Sequence, residues 1–337
     1  MSARKALFFD SVAPAPAPLV SVLIPTFARG EMLQRAVQSA LNQNYSNIEV
    51  LVCDDAGPIP AATILEDFKD SRLRVVRRDS NCGVAVNVRL GALEANGQYL
   101  AIVNDDDYLD PRMVSSLVAP MLANDGCVVA FGDHWLVDES GNIRLQDSER
   151  NSERWGRRRL PRGVHQPFIK VALVDRSIPT VMTALIRRDA VDWSQLGPEA
   201  GPSYDLWIAY LLARDGRAAH YIPERLSSYR QHGGQDTATA SRTLPSYVYC
   251  LRTFLTDPRL QDHHHALLAQ TAMAERMLGL ALIREGRGAD GRSHLTAALR
   301  ITRRPLTAAA ILASFLPGRA YRLMTRAVRP MFGRCVA

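Results

Sequence analysis

Tyr99-Leu100-Ala101-Ile102-Val103-Asn104-Asp105-Asp106-Asp107-Tyr108-Leu109-Asp110-Pro111 runs an apolar segment straight into three consecutive carboxylates. Tyr99 to Val103 is short, apolar and preceded by the turn-like pair Asn96-Gly97, so it reads as a buried strand. Pro111 reads as the first position of the next helix, where a missing N–H is harmless. The acids then fall at the carboxyl end of a strand, where open α/β sheets place their ligands. Adjacent acids repel one another, and a hard divalent cation with oxygen ligands, Mg²⁺ or Mn²⁺ bridging substrate phosphates, relieves that repulsion. Acids also favour the first turn of a helix. On this stretch alone, metal binding and helix capping both stand.

The residues before it repeat the pattern. Leu19 to Ile24 is a β-prone run ended by Pro25, as expected of a central parallel strand. After the loop Thr26 to Gly30, apolar residues at Leu33, Ala36, Val37, Ala40 and Leu41 make one helical face. Ile48 to Cys53 is a second buried strand, and it too stops at carboxylates, Asp54-Asp55. A short helix around Ile64, Leu65 and Phe68, a strand Leu73 to Val76, the turn Asn81-Cys82-Gly83 and a helix through Val88, Ala92 and Ala95 lead back to Tyr99. The order β-α-β-α-β-α-β implies a parallel sheet with right-handed crossovers. Both acidic strand ends then face one crevice. No Gly-x-Gly-x-x-Gly follows the first strand, which disfavours a dinucleotide-binding domain.

Beyond Pro111 a helix is expected around Met113 to Met121 and a strand over Val128 to Gly132. Asp147 to Gly163 is polar and Arg-rich and reads as a long functional or solvated loop. Thr180 to Arg188 reads as another strand, and Leu206, Ala209, Tyr210 and Leu212 as a helix. From Leu244 the pattern is helical: Leu267, Leu268, Thr271, Met273, Ala274, Met277 and Leu278 form an apolar face, with a break near Gly286. His263-His264-His265 is a poor single-metal site, because adjacent helical residues point apart. Arg300 to Arg304 and Arg319 to Arg329 set basic beside apolar residues, which suits either a membrane-surface helix or packing on the sheet domain.

The chain has 337 residues, 47% hydrophobic and 22% charged, enough for a large core in an ordinary globular protein. A formal charge of +7 suits anionic partners such as nucleotide phosphates, lipid diphosphates or a membrane surface. The five cysteines, Cys53, Cys82, Cys127, Cys250 and Cys335, include no Cys-x-x-Cys pair and read as reduced thiols of a cytoplasmic protein. Residues 1–18 read as a disordered leader and not a signal peptide. The longest apolar run, Leu306 to Leu316, falls short of the roughly 20 residues a membrane span needs, so none is expected.

Four segments together resemble a known family: Val20-Ser21-Val22-Leu23-Ile24-Pro25-Thr26-Phe27, Ala40-Leu41-Asn42-Gln43-Asn44-Tyr45, Ile48-Glu49-Val50-Leu51-Val52-Cys53-Asp54-Asp55 and Asn104-Asp105-Asp106-Asp107-Tyr108-Leu109-Asp110-Pro111. In this order they look like family 2 glycosyltransferases of the GT-A fold. The resemblance implies an α/β fold with a mostly parallel, Rossmann-like sheet flanked by helices. It covers a catalytic domain over residues 19–236, with a nucleotide-sugar half to about 110 and an acceptor half after it; residues 237–337 form a helical C-terminal region. It further implies that Pro25, Thr26, Phe27 and Asp55 hold the nucleotide, Asp55 accepting from the base. Asp106 falls on the metal ligand, for Mg²⁺ or Mn²⁺, and Asp105 lies nearer ribose or phosphate. Asn104 stands where relatives often carry Asp. Arg89, where relatives usually have Asn, would meet base or phosphates. His232, in Tyr229-Arg230-Gln231-His232, would ligate the metal or touch the diphosphate.

One position departs from the pattern. Relatives usually carry Glu-Asp, one residue, then Asp-Leu-Trp, the second acid of the pair being the catalytic base; this chain has Pro202-Ser203-Tyr204-Asp205-Leu206-Trp207. Asp205 is the expected base, since a carboxylate needs only geometry and a modest pKa adjustment. Glu199 reaching in from the loop, or no base at all, are the alternatives, and an N-cap role for Asp205 is the plainer one. The implied activity is inverting, metal-dependent transfer from a nucleotide-sugar donor to a glycan or lipid-linked acceptor, in cell-surface polysaccharide or glycolipid assembly. Its place would be cytoplasmic, at the inner face of the membrane, with no nucleic-acid partner. The rivals are a non-catalytic nucleotide-sugar binding protein and a nucleotidyltransferase.

Overall fold

The computed structural model describes residues 17–27, 29–232 and 240–315. The first four strands, β1 (Val20–Thr26), β2 (Ile48–Asp54), β3 (Leu73–Arg77) and β4 (Tyr99–Ile102), are parallel and lie in the order β3-β2-β1-β4. Their side chains alternate between two apolar layers, as a pleated strand requires. Val20, Val22 and Ile24 face one layer with Val50, Val52 and Ala101, whereas Leu23, Leu51, Leu100 and Ile102 face the other. Helices α1 (Gly30–Leu41) and α4 (Met113–Ala123) cover the first layer, and α3 (Val84–Glu94) covers the second; α2 (Ala61–Ile64) is a single turn.

The sheet continues with strands of mixed direction. β8 (Ala184–Arg187) runs antiparallel to both β4 and β6 (Cys127–Val137), and β6 runs parallel to β9 (Ala218–Arg230). β5 (Tyr108–Leu109) and β7 (Gly163–His165) pair antiparallel with β9. The sheet is therefore parallel in its first half and mixed in its second.

Three local expectations are corrected. The helix after Pro111 starts at Met113, because Asp110 first closes a turn by accepting from the Arg112 N–H. The strand expected from Thr180 is confined to Ala184–Arg187; Met182 has φ +143°, and Thr183 is used in a turn. The Arg-rich stretch expected as a loop contains α5 (Leu145–Arg154), which buries Ser148 and Ser152 against β6. A helix that packs through serines carries no apolar 3.6-residue period, so the usual signal is missing.

The stretch after α5 is anchored by a buried ion pair. The Arg157 Nε donates to Asp133 Oδ1 at 2.6 Å, Ser152 donates to the same carboxylate, and Arg157 is 3% exposed. Burial pushes the neighbouring His134 imidazole down to about 3, with the Arg157 cation adding to the effect, so it stays neutral.

The C-terminal helices α7 (Ala240–Phe254), α8 (His264–Arg284), α9 (Gly288–Thr302) and α10 (Pro305–Ala313) stack in sequence, α7 against α6 (Tyr204–Ala213) and the turn before it, α8 on α7, α9 on α8 and α10 on α9. Trp207 stacks on Tyr249 and Tyr210 on Phe254, and one apolar layer runs from Leu23 through α6 and α7 to Leu282. Packing, the plainer of the two expectations, therefore accounts for α7 to α9. Contrary to the expectation from continuous apolar runs, the segment Pro258–Arg284 is long and apolar enough by length and composition to cross a membrane. Within this fold it buries Leu267, Ala274, Leu278 and Leu282, and its buried Glu275 pairs with Arg252 and His294. Residues 1–16 of the expected leader, the boundary near 236, Cys335 and Arg319 to Arg329 lie outside the described residues.

Removing one partner of a buried pair leaves an uncompensated charge. Asp133→Ala is expected to destabilise the protein by about 3–5 kcal/mol, measured by urea denaturation; a change below about 1 kcal/mol, the level of a surface pair, would show that the pair is not an anchor.

Candidate functional site

The carboxyl ends of β2, β1 and β4 lie side by side and bring the expected acids together. The peptide N–H of Asp55 donates to the Thr26 carbonyl at 2.9 Å, and the Thr26 hydroxyl donates to Asp105 Oδ2 at 2.7 Å. Asp105, Asp106 and Asp107 are all buried, each at 7% exposure or less.

Each acid has a different set of partners. Asp105 accepts from the Thr26 hydroxyl and the Phe27 N–H, yet burial, followed by repulsion from Asp106, pushes its carboxyl up to about 6. Asp107 accepts from the Arg230 N–H at 2.9 Å and from Asn104 at 3.3 Å, and burial raises it well above the carboxylate range. Asp106 Oδ2 receives the Arg29 guanidinium at 2.7 Å and lies 3.0 Å from His232 Nε2. Arg29 Nη1 is itself 2.7 Å from that imidazole nitrogen, and its Nε is 3.5 Å from Asp105. Arg29 was not among the expected residues; a lone Arg in a loop after a strand has no distinguishing spacing.

Asp106 and His232 present one carboxylate oxygen and one imidazole nitrogen together. Among the described residues no group of three or more His, Cys, Asp or Glu side chains is arranged to hold a metal. A Mg²⁺-type ion is ordinarily held by one or two protein side chains, with phosphates and water completing the shell. The donor set fits such an ion, and the adjacent carboxylates, with one guanidinium between them, fit a further positive charge.

Asp54 and Asp55 do different work. Asp54 accepts from the Gly57 and Ala61 N–H groups and from Arg77, which fixes the loop after β2. Asp55 accepts from the Cys82 and Gly83 N–H groups at the start of α3. Phe27, the residue after β1, is 47% exposed. Arg89 is half-buried on α3, without a hydrogen-bond or ion-pair partner among the described residues.

At the head of α6, Ser203, not Asp205, occupies the N-cap position; Asp205 sits in the first turn. The Ser203 hydroxyl lies 2.9 Å from that of Ser246 on α7 and is consumed by helix docking. Tyr204 donates its hydroxyl to Asn104 Oδ1 at 2.9 Å, which ties the head of α6 to the acidic strand end. Asp205 follows it and is half-buried. Burial raises its carboxyl above the ordinary value of 3.8, while Arg176 pulls it down. Glu199 is exposed.

Residues 21–192 match the family described as Glycosyl transferase family 2. "Glycosyltransferase GlyG" of Streptococcus pneumoniae serotype 4 is 33% identical over 128 residues, 37% of this chain and 42% of that protein. The GalNAc(5)-diNAcBac-PP-undecaprenol beta-1,3-glucosyltransferase of Campylobacter jejuni is 28% identical over 140 residues, 41% of this chain and 44% of that one. The chain thus matches less than half the length of either relative. Among solved structures, Staphylococcus aureus TarS 1–349 in complex with UDP-GlcNAc superposes with a TM-score of 0.63 at 15% identity, covering 93% of this chain and 92% of that one. The mannosyltransferase PcManGT of Pyrobaculum calidifontis, in complex with GDP-Man and Mn2+, gives 0.56 at 18% identity, over 95% and 89%. At these identities the likeness is one of fold, that of GT-A glycosyltransferases.

The loop after β2 depends on one close approach. A Cβ on Gly57 would lie 1.7 Å from the Phe27 carbonyl oxygen, whereas one on Gly30 would meet nothing within 4 Å. Gly57→Ala is expected to cost about 1–3 kcal/mol of stability and Gly30→Ala to be neutral or stabilising by about 0.5–1 kcal/mol, compared by chemical denaturation; equal effects would remove the close-approach argument.

Proposed function

This chain belongs to glycosyl transferase family 2, and from that premise we propose that it moves a sugar, with inversion, from a nucleotide-diphospho-sugar to an acceptor hydroxyl in the assembly of a cell-surface polysaccharide or glycolipid. The observation that carries the reading is the cluster of Thr26, Arg29, Asp105, Asp106 and His232 at the ends of the parallel strands.

In this reading Asp55 and the Pro25 to Phe27 loop receive the nucleoside, with the Phe27 ring as a stacking surface and Asp105 toward the ribose. Arg89 meets the base or phosphates. Asp106 and His232 hold Mg²⁺ or Mn²⁺, which when bound supplies positive charge to the departing diphosphate. Arg29, already on Asp106, is the chain's own cation at that position and shifts to share the carboxylate or to meet the phosphates. Asp205 takes the proton of the acceptor hydroxyl as its oxygen forms the bond to the anomeric carbon; the bond from that carbon to the diphosphate oxygen breaks, and nucleoside diphosphate leaves. Half-burial of Asp205, exposure of Glu199 and the use of Ser203 in packing favour Asp205 as the base.

The acceptor named for the Campylobacter jejuni relative is a diphospho-undecaprenol glycan, and a lipid-linked acceptor implies work at the inner face of a membrane. Exposed Leu306, Leu312 and Phe315 beside exposed Arg303 and Arg304 support peripheral contact there.

Calorimetric titration with UDP, GDP and dTDP, each with Mn²⁺ or with chelator, tests the donor site. Metal-dependent binding of one nucleotide is expected, and Asp106→Ala should abolish it, together with sugar transfer, in a protein that remains folded. Binding of none of the three nucleotides would sink the reading.

Asp205 makes a separate prediction. The base acts only when ionised, and its raised carboxyl pKa puts the acid limb of the rate profile above the ordinary 3.8. The folded state also holds that proton more tightly than the unfolded chain, so this group's contribution to stability falls as pH rises through the interval between the two pKa values. Asp205→Asn should therefore remove transfer while leaving the thermal midpoint at neutral pH equal or higher; retained turnover would exclude Asp205 as the base.

A further inference from the structure

A cavity of about 1000 Å³ opens between the head of α6, the stretch after α5 and the helices α7 and α8. Asp205 lines it, and so do Arg154, Arg159, Lys170 and Arg176, four cations against the carboxylates of Asp175 and Asp205. Lys170 is paired with Asp175 at 2.6 Å and Arg159 lies 3.4 Å from Glu153.

Arg176 differs from the others. Its guanidinium is held between two rings, 4.9 Å from Trp155 and 4.7 Å from Tyr247. Among the described residues it has no hydrogen-bond or salt-bridge partner, although it is half-buried. Its backbone is in the left-handed region at φ +53°, a conformation that costs a non-glycine residue energy. Hydrogen bonds on either side fix that turn: the Asp175 N–H donates to the Lys170 carbonyl and the Ser177 N–H to the Val171 carbonyl, both at 2.8 Å. The two ring contacts hold the guanidinium in place, and among the described residues no hydrogen bond uses its N–H groups, which can recognise phosphate or carboxylate through two parallel bonds.

The opposite wall is apolar. Leu244, Met273, Ala274 and Met277 line it, and Met273 is 42% exposed although it lies on the apolar face expected of α8. The correction to that face has a use: a flexible thioether turned into a cavity suits a hydrocarbon of irregular shape.

We propose that this cavity binds an anionic amphiphile, the phosphate or diphosphate ester of a long-chain alcohol, with the anionic group on Arg176 and the chain against the α8 wall, and that this is how a lipid-linked acceptor is presented to Asp205. The proposal rests on the glycosyltransferase reading for its role as acceptor; the binding itself is independent of the donor site.

Farnesyl diphosphate is the probe, titrated calorimetrically into the full chain in the presence of chelator, with inorganic diphosphate and an uncharged alkyl glucoside as comparisons. Farnesyl diphosphate should bind more tightly than either, and Arg176→Gln should weaken it by about tenfold or more, the loss of a charge-assisted fork. Arg176→Lys, which keeps the charge and loses the fork, should fall between the two. Met273→Gln, a neutral change of similar size at an exposed position where folding is not at stake, should weaken farnesyl diphosphate and leave inorganic diphosphate little changed. Asp106→Ala should leave this binding intact, so that failure here and failure at the donor site are separate results. Unchanged affinity in Arg176→Gln or in Met273→Gln, equal binding of the uncharged glucoside, equal binding of inorganic diphosphate, or loss of binding in Asp106→Ala would each overturn the proposal.

Discussion

Burying three adjacent carboxylates is the constraint on which the rest of this structure depends. Ionised carboxylates in a low-dielectric interior are costly unless paired or hydrogen-bonded, and Asp105, Asp106 and Asp107 are satisfied by three different parts of the chain. The loop after β1 serves Asp105 through Thr26 and Phe27, and Arg29 with His232 serves Asp106. The end of β9 serves Asp107 through the Arg230 N–H, and the Arg230 side chain reaches back to the Asp106 carbonyl at 3.0 Å. The acids therefore join the parallel half of the sheet to the mixed half. Their remaining negative charge is what makes the joint a site.

The helical C-terminal region belongs to the same construction. Where relatives are expected to carry an acid, Ser203 instead packs its hydroxyl against Ser246 of α7, and Gly201, at φ +42°, brings the turn close to the same helix. Trp207, Tyr210, Tyr249 and Phe254 then form one aromatic cluster across α6 and α7. The head of α6 is thus held from two sides, by α7 and, through Tyr204, by the acidic strand end. Asp205 is oriented by both.

Much of this was legible from residues whose spacing obeys a simple rule. The parallel strands showed as apolar runs that stop at acids, and the structure brings Thr26 beside Asp105 and His232 beside Asp106. Arg29 was not legible, because nothing in its spacing marks it and its partners lie 76 or more positions away. Helix α5 was missed because its buried face is Ser148 and Ser152, and the short extent of β8 because φ at Met182 is a matter of tertiary context. Met273, expected on the apolar face of α8, lies off the buried stripe of Leu267, Thr271, Ala274, Leu278 and Leu282 and lines the cavity instead.

The distribution of charge ties the two sides together. The strand ends concentrate negative charge, which suits a cation, and the cavity beyond Asp205 concentrates positive charge, which suits an anion. Asp205 lines that cavity, and its carboxyl is raised by burial and lowered by Arg176. An anion seated on Arg176 offsets that lowering, so the carboxylate holds a proton more tightly when the acceptor is present than when the cavity holds only water. On the proposed reading Arg176 alone weakens the Asp205 carboxylate as a base, and an anion seated on that guanidinium restores the lost basicity, so an acceptor without the anionic group would lose in the proton-transfer step as well as in binding.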